Sequence, residues 1–226
     1  MPLGMVLRAT EFRAMVPYLA AAVVVVLAFP EGVVSRLGPV TFTPSVPVVL
    51  LAPLLLSFGV GVAHSTWPVP VVARNRRTLV ARAVSCLLAL ACSLAVVAVA
   101  AAVSDAVTFA ALVRVLCVLS ALTMAVGALA GIVHAWLPAV LVSGAALLSG
   151  ASERPFTLYA MLLDTRATAG QTVLAVTLLA VGGVICLLDP MSRGYLVTAG
   201  AGRRAARFAL LPSVGPGRVR ARRRGA

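Results

Sequence analysis

Few side chains in this sequence are equipped for chemistry, and most of them stand alone. The inventory is two histidines, four cysteines, six carboxylates and 19 basic residues, all of them arginine. Cys86, Cys92, Cys117 and Cys186 sit inside apolar runs, form no C-x-x-C pair and have no histidine at a ligand spacing. They read as small buried thiols, and no metal site is expected. His64 and His134 fall near the ends of apolar runs. A proton relay through the membrane needs buried acidic partners, and no Asp or Glu lies at the middle of such a run, so both histidines read as solvated groups. Ser57, Ser85, Ser93, Ser120 and Ser143 have no His or acid within sequence reach. Hydroxyls of this kind in membrane helices bond backbone carbonyls or neighbouring helices.

The missing lysine is informative. Walker-type ATP hydrolysis needs a lysine on the phosphates, and Schiff-base chemistry needs its amine. No nucleophile elbow, paired carboxylates or Gly-rich phosphate loop is present either. The expectation is a chain that is not an enzyme and carries no catalytic residue or cofactor.

Arg114 is the exception worth following. Counted from Ala106, it lies eight residues into an apolar run, about 12 Å at the helical rise. A charge at mid-span costs on the order of 2–3 kcal/mol and marks a functional candidate. On that reading Arg114 lines a path for an anionic group or pairs with Asp105, Glu153 or Asp164. The competing reading starts the span near Val115, which leaves Arg114 at the outer interface.

The elements that hold these residues follow from composition. The chain is 62% apolar and 11% charged, with a mean hydropathy of +1.08. Long stretches carry no charge at all, the pattern of a chain solvated by lipid. The bias to Arg, Ala, Val and Gly reads as GC-rich bacterial coding. The net charge of +13 raises the possibility of nucleic-acid binding. The arginines cluster beside apolar runs, however, where anionic lipid headgroups attract them, so lipid is the expected partner and nucleic acid is not.

Residues 1–13 read as an amphipathic surface segment, with Met5, Ala9 and Phe12 on one face. A six-span domain then covers residues 14–190. The spans run from about Ala14 to Phe29, Val46 to Ala63, Ala83 to Val103, within 107–133, Leu137 to Gly150, and Gly170 to Leu188. The fifth is short for a bilayer that needs roughly 20 residues. Residues 30–45 read as a Pro/Gly/Thr-rich loop, and 155–164 as a short helix resting on the outer face. Residues 191–226 form an Arg-rich tail with nine arginines, expected to touch anionic lipid. With the amino terminus in the cytoplasm, fifteen arginines fall inside and three outside. The positive-inside rule therefore places both termini in the cytoplasm of an all-α, multi-pass bundle in the cell membrane.

An amphipathic start, a short basic loop between spans two and three, a partly apolar outer segment between spans five and six, and a basic tail occur together. This arrangement resembles the membrane subunit of an ABC-2 type transporter, in a small six-span actinobacterial form. The segment from Val48 to Arg82 and the run His134-Ala-Trp-Leu-Pro138 carry most of the likeness. The resemblance implies a permease working with a separate ATP-hydrolysing subunit, as a homodimer or with a sister permease. It also implies that residues 2–13 lie on the membrane surface, that 68–82 touch the ATPase through Arg74, Arg76, Arg77 and Arg82, and that 151–168 form outer re-entrant helices. The basic loop departs from the family pattern in having no acidic residue. The alternative is a non-transporting assembly, immunity or anchoring protein in the membrane.

Overall fold

The computed structural model describes residues 12–37, 40–65, 76–149, 154 and 156–188. Residues 1–11 and the tail from 189 onward, which include most of the surface segment and all of the Arg-rich region, lie outside the described residues. The described chain is mostly helical. A 3-10 turn at Phe12–Met15 leads into α1 (Val16–Ala28), followed by the strands β1 (Val33–Leu37) and β2 (Val40–Pro47). The helices α2 (Leu51–Ser65), α3 (Arg76–Val103), α4 (Phe109–Ala130), α5 (Leu137–Ser149), α6 (Leu158–Leu162) and α7 (Ala169–Leu188) complete the order.

Three of these helices are long and apolar enough to cross a membrane, over Ala83–Val103, Phe109–Ala130 and Ala169–Leu187. Three shorter apolar stretches, Val16–Ala28, Val48–Ala63 and Leu137–Ser149, match the remaining expected spans in position. The short helix expected within 155–164 also forms, as α6. Pro53 falls in the first turn of α2, where its missing N–H costs no helical bond.

One expectation fails. Residues 30–45, expected as an irregular loop, belong largely to an antiparallel hairpin. Val34 pairs with Val46 and Arg36 with Thr41, with a register irregularity between Val34 and Arg36. The run of Val, Thr and Phe is β-prone, and the Val48 N–H closes the hairpin's base on the Gly32 carbonyl at 2.8 Å. The described fold is therefore a helical bundle with one β-hairpin, not a purely α-helical one.

α4 sits at the centre. It packs against α7 and α2 most extensively, and also against α3, α5 and α6. Leu112, Val115, Leu116 and Leu119 of α4 join Leu56 of α2 and Val97 of α3 in the main core. α4 and α7 approach tightly at Gly182, where an added Cβ would stand 2.7 Å from the Ala121 carbonyl oxygen. Only hydrogen fits there. Gly61 and Gly127 also meet neighbours: Gly61 faces Thr123, and Gly127 faces Ala135. Gly131 has a different task. It ends α4 with φ of 89°, a conformation that L side chains disfavour.

The outer faces of the bundle are apolar. Leu87 and Leu94 on α3, and Val173, Val176, Val181 and Val184 on α7, are exposed. Water would penalise such faces, whereas acyl chains solvate them at no cost.

Candidate functional site: the Arg114 strap

α4 begins at Phe109, not at Val115. Thr108 is its N-cap, accepting the Ala111 N–H on its hydroxyl at 3.3 Å. Arg114 thus stands inside the helix, and its side chain is fully buried. The helix itself therefore starts six residues before the Val115 start expected on the interface reading.

The guanidinium is spent on oxygens of the segment between α6 and α7 and of the first turn of α7. Nη1 donates to the Arg166 carbonyl at 3.0 Å and to Gln171 Oε1 at 2.7 Å, and Nη2 donates to the Asp164 carbonyl. The carboxylate of Asp164 faces elsewhere, accepting the Arg166 N–H at 3.1 Å. Of the acids expected to pair with Arg114, Asp105 is exposed and Glu153 lies outside the described residues. Nε of Arg114 is buried with no hydrogen-bond partner.

The intervening carbonyl is also taken. Thr108 donates both its N–H, at 3.2 Å, and its hydroxyl, at 3.1 Å, to the Thr165 carbonyl. Three successive carbonyls, of residues 164, 165 and 166, are therefore held by α4 and its N-cap. We call residues 164–168 the strap. Backbone that has left helical geometry must find partners for its carbonyls outside the helical ladder. An arginine, with five donors in a rigid fork, satisfies several carbonyls at once where a lysine reaches fewer.

The strap leads straight into α7 through a reciprocal cap. The Gln171 N–H donates to the Thr168 hydroxyl at 3.3 Å, and the Thr168 N–H donates to Gln171 Oε1 at 3.0 Å. Thr-x-x-Gln is a capping box. Gln171 is buried, and its amide oxygen serves both the cap and Arg114. Thr108, Thr168 and Gln171 were not singled out as site residues by sequence reasoning, although Thr168-x-x-Gln171 carries a local signal that marks the start of a helix.

Tyr159 of α6 lies nearby and is buried. Burial first, and the charge of Asp164 second, push its phenol above the ordinary tyrosine value. Elsewhere in the bundle several hydroxyls bond backbone carbonyls as expected, whereas Ser120 Oγ is buried with no hydrogen-bond partner. Ser57 donates to the Leu54 carbonyl, and Ser93 to that of Ala89. Thr123 donates across helices to the Ser57 carbonyl at 3.2 Å.

The other site candidates are placed only in part. Arg74 lies outside the described residues. Arg76, Arg77 and Arg82 belong by backbone to the first two turns of α3. His134 is exposed, its Nδ1 3.1 Å from the Ala130 carbonyl. Among the described residues no group of His, Cys, Asp and Glu is arranged to hold a metal ion. No family model matches this chain, and no curated protein or solved structure matches it.

Proposed function

We propose that this protein is a six-span permease subunit of an ABC-type exporter in the cell membrane, with both termini in the cytoplasm, driven by a separate ATP-hydrolysing subunit. One observation carries the reading: α3 starts at Arg76, seven residues before its apolar stretch begins at Ala83. At 1.5 Å per residue it extends about 10 Å past the apolar stretch as continuous helix. Arg76, Arg77 and Arg82 lie on that extension, and Arg74 just precedes it. A rigid basic stub on the side assigned to the cytoplasm suits contact with a soluble motor, and a packed helix transmits its movement into the bundle. Two copies, or one with a sister permease, complete the path. Arg114 would shape its outer end by fixing the strap, and the Arg-rich tail would hold anionic lipid.

The test has two parts. A reporter active only outside the membrane, fused after Ala226, should stay silent. The protein purified alone should lack ATPase activity, and the complex should contain a second subunit with a Walker motif. Replacing Arg74, Arg76 and Arg77 by Ala should weaken that complex without changing topology. An intact complex in this variant removes the stub from the coupling role.

A second reading is a non-transporting assembly, immunity or anchoring protein. Arg114 favours it, because the guanidinium N–H groups that bond do so within the protein, as a group serving the fold would. The absence of any ATPase subunit from the purified complex would select this reading.

A further inference from the structure

We infer that the bundle binds a soft monovalent metal ion, of the class of Cu(I) and Ag(I), among the sulfurs of Met15, Cys86, Met124 and Cys186. The inference rests on how the helices pack, not on the transport reading. The bundle holds a second, smaller core cluster. Met15, Cys86 and Met124 are buried in it, and Cys186 packs against it. Seven methionines and cysteines lie among the described residues, and four of them meet in this one cluster of ten side chains. They come from four separate elements, the turn before α1 and the helices α3, α4 and α7, so no local motif announces them. Two close approaches fix the thioethers. An added Cβ on Gly59 of α2 would lie 3.1 Å from Met15 Cγ, and one on Gly183 of α7 would lie 3.7 Å from Met124 Cε. Cys186 follows Gly183 by three residues, which puts it on the same face of α7. The Met124 chain therefore ends beside the face that carries Cys186.

The donor set selects the ion. The remaining members of the cluster are aliphatic, Val60, Ala89 and Leu179 among them, so it offers no carboxylate, imidazole or hydroxyl. Hard cations such as Mg(II) and Ca(II) need oxygen ligands, whereas thioethers and thiolates favour Cu(I). A single positive charge also suits an apolar site. One thiol gives its proton to water as the metal–sulfur bond forms, and the resulting thiolate cancels the charge of the ion. No electron is transferred, because the ion arrives already monovalent. Methionine side chains turn about three bonds and can close on an ion without moving a helix. Cys186 is partly exposed, which gives the ion a side from which to enter.

The test titrates the purified full chain with Cu(I), in detergent and without oxygen, against the chromogenic chelator bicinchoninate. The chain should take one ion from the chelator. Cys86→Ala and Met124→Leu should each weaken binding about tenfold or more. Cys92→Ala and Met161→Leu change sulfurs outside the cluster and should leave the affinity unaltered. No uptake by the parent overturns the inference, and so does the same affinity in all four variants or an equal loss in all four. Two measurements on the unmutated protein stand whether or not a variant folds. Ag(I) should raise its unfolding temperature, as a ligand of the folded state does, and a flat response overturns the site. X-ray absorption of the Cu(I) complex should show sulfur ligands alone, and nitrogen or oxygen ligands would place the ion elsewhere and overturn it.

Discussion

Arg114 Nη1 lies 2.7 Å from Gln171 Oε1, although 57 residues separate them in the chain. That bond joins the interior of α4 to the first turn of α7. It sits beside two further bonds from the same guanidinium to the strap. The charge is thereby turned into a fastener for backbone that has left helical geometry.

Removing the fastener should loosen the strap. Arg114→Met leaves two carbonyls and an amide oxygen short of a donor, each costing about 1–3 kcal/mol when buried. Loss of the buried charge offsets part of this, so a net destabilisation of about 2–4 kcal/mol is expected. Arg114→Lys should recover only part of it, since an ammonium lacks the planar fork. Unfolding of the purified protein in detergent measures both. A Met variant as stable as the parent would show that the strap holds without Arg114.

Gln171 serves two partners with one oxygen, so its substitution should not add simply to that of Arg114. Gln171→Ala removes the reach-back half of the capping box as well as an Arg114 acceptor. A double-mutant cycle with Arg114→Met should return a coupling of about 0.5–3 kcal/mol. Additivity within about 0.5 kcal/mol would mean that the two act independently.

The α4–α7 contact makes a sharper steric prediction. In Gly182→Ala the new methyl meets the backbone of Ala121, with its oxygen at 2.7 Å and its Cα at 2.9 Å. Backbone cannot swing aside as a side chain can, so the helices must separate, at about 1–3 kcal/mol. Gly144 on α5 has nothing within 4 Å of its added Cβ, so Gly144→Ala should be neutral or stabilising by up to about 1 kcal/mol. Equal effects from the two substitutions would contradict this packing.

Tyr159 gives a pH dependence. Its phenol is pushed above the ordinary value in the folded state, chiefly by burial. The folded state therefore holds the proton more tightly than the unfolded chain does. The associated stability is fully present below the unfolded value of about 10 and is lost as pH rises through the higher folded value. Phenolate absorbance of Tyr159 should appear later in an alkaline titration than that of a free tyrosine. Tyr159→Phe should remove this component of the alkaline loss, and an unchanged stability profile would show that the phenol does not contribute.

What the sequence determined by itself is where the apolar segments run. Val16–Ala28, Ala83–Val103, Phe109–Ala130, Leu137–Ser149 and Ala169–Leu188 lie within a few residues of the stretches read from hydropathy alone, and the second apolar stretch begins two residues later than expected. Hydropathy is a local property, summed over neighbours in the chain, so it is legible without the fold. The Thr168-x-x-Gln171 cap is legible for the same reason, because both partners lie within one turn. Only tertiary structure decided the state of Arg114. Its partners come from residues 164, 166 and 171, and whether a charge is exposed at an interface or buried against carbonyls depends on which distant backbone comes to rest on it. The hairpin at 33–47 also escaped hydropathy, because a strand is stabilised by its pairing partner rather than by its own apolar content. Gly182 was equally hidden: its role is set by Ala121, sixty-one positions earlier, and by an approach of two helices that admits no side chain between them.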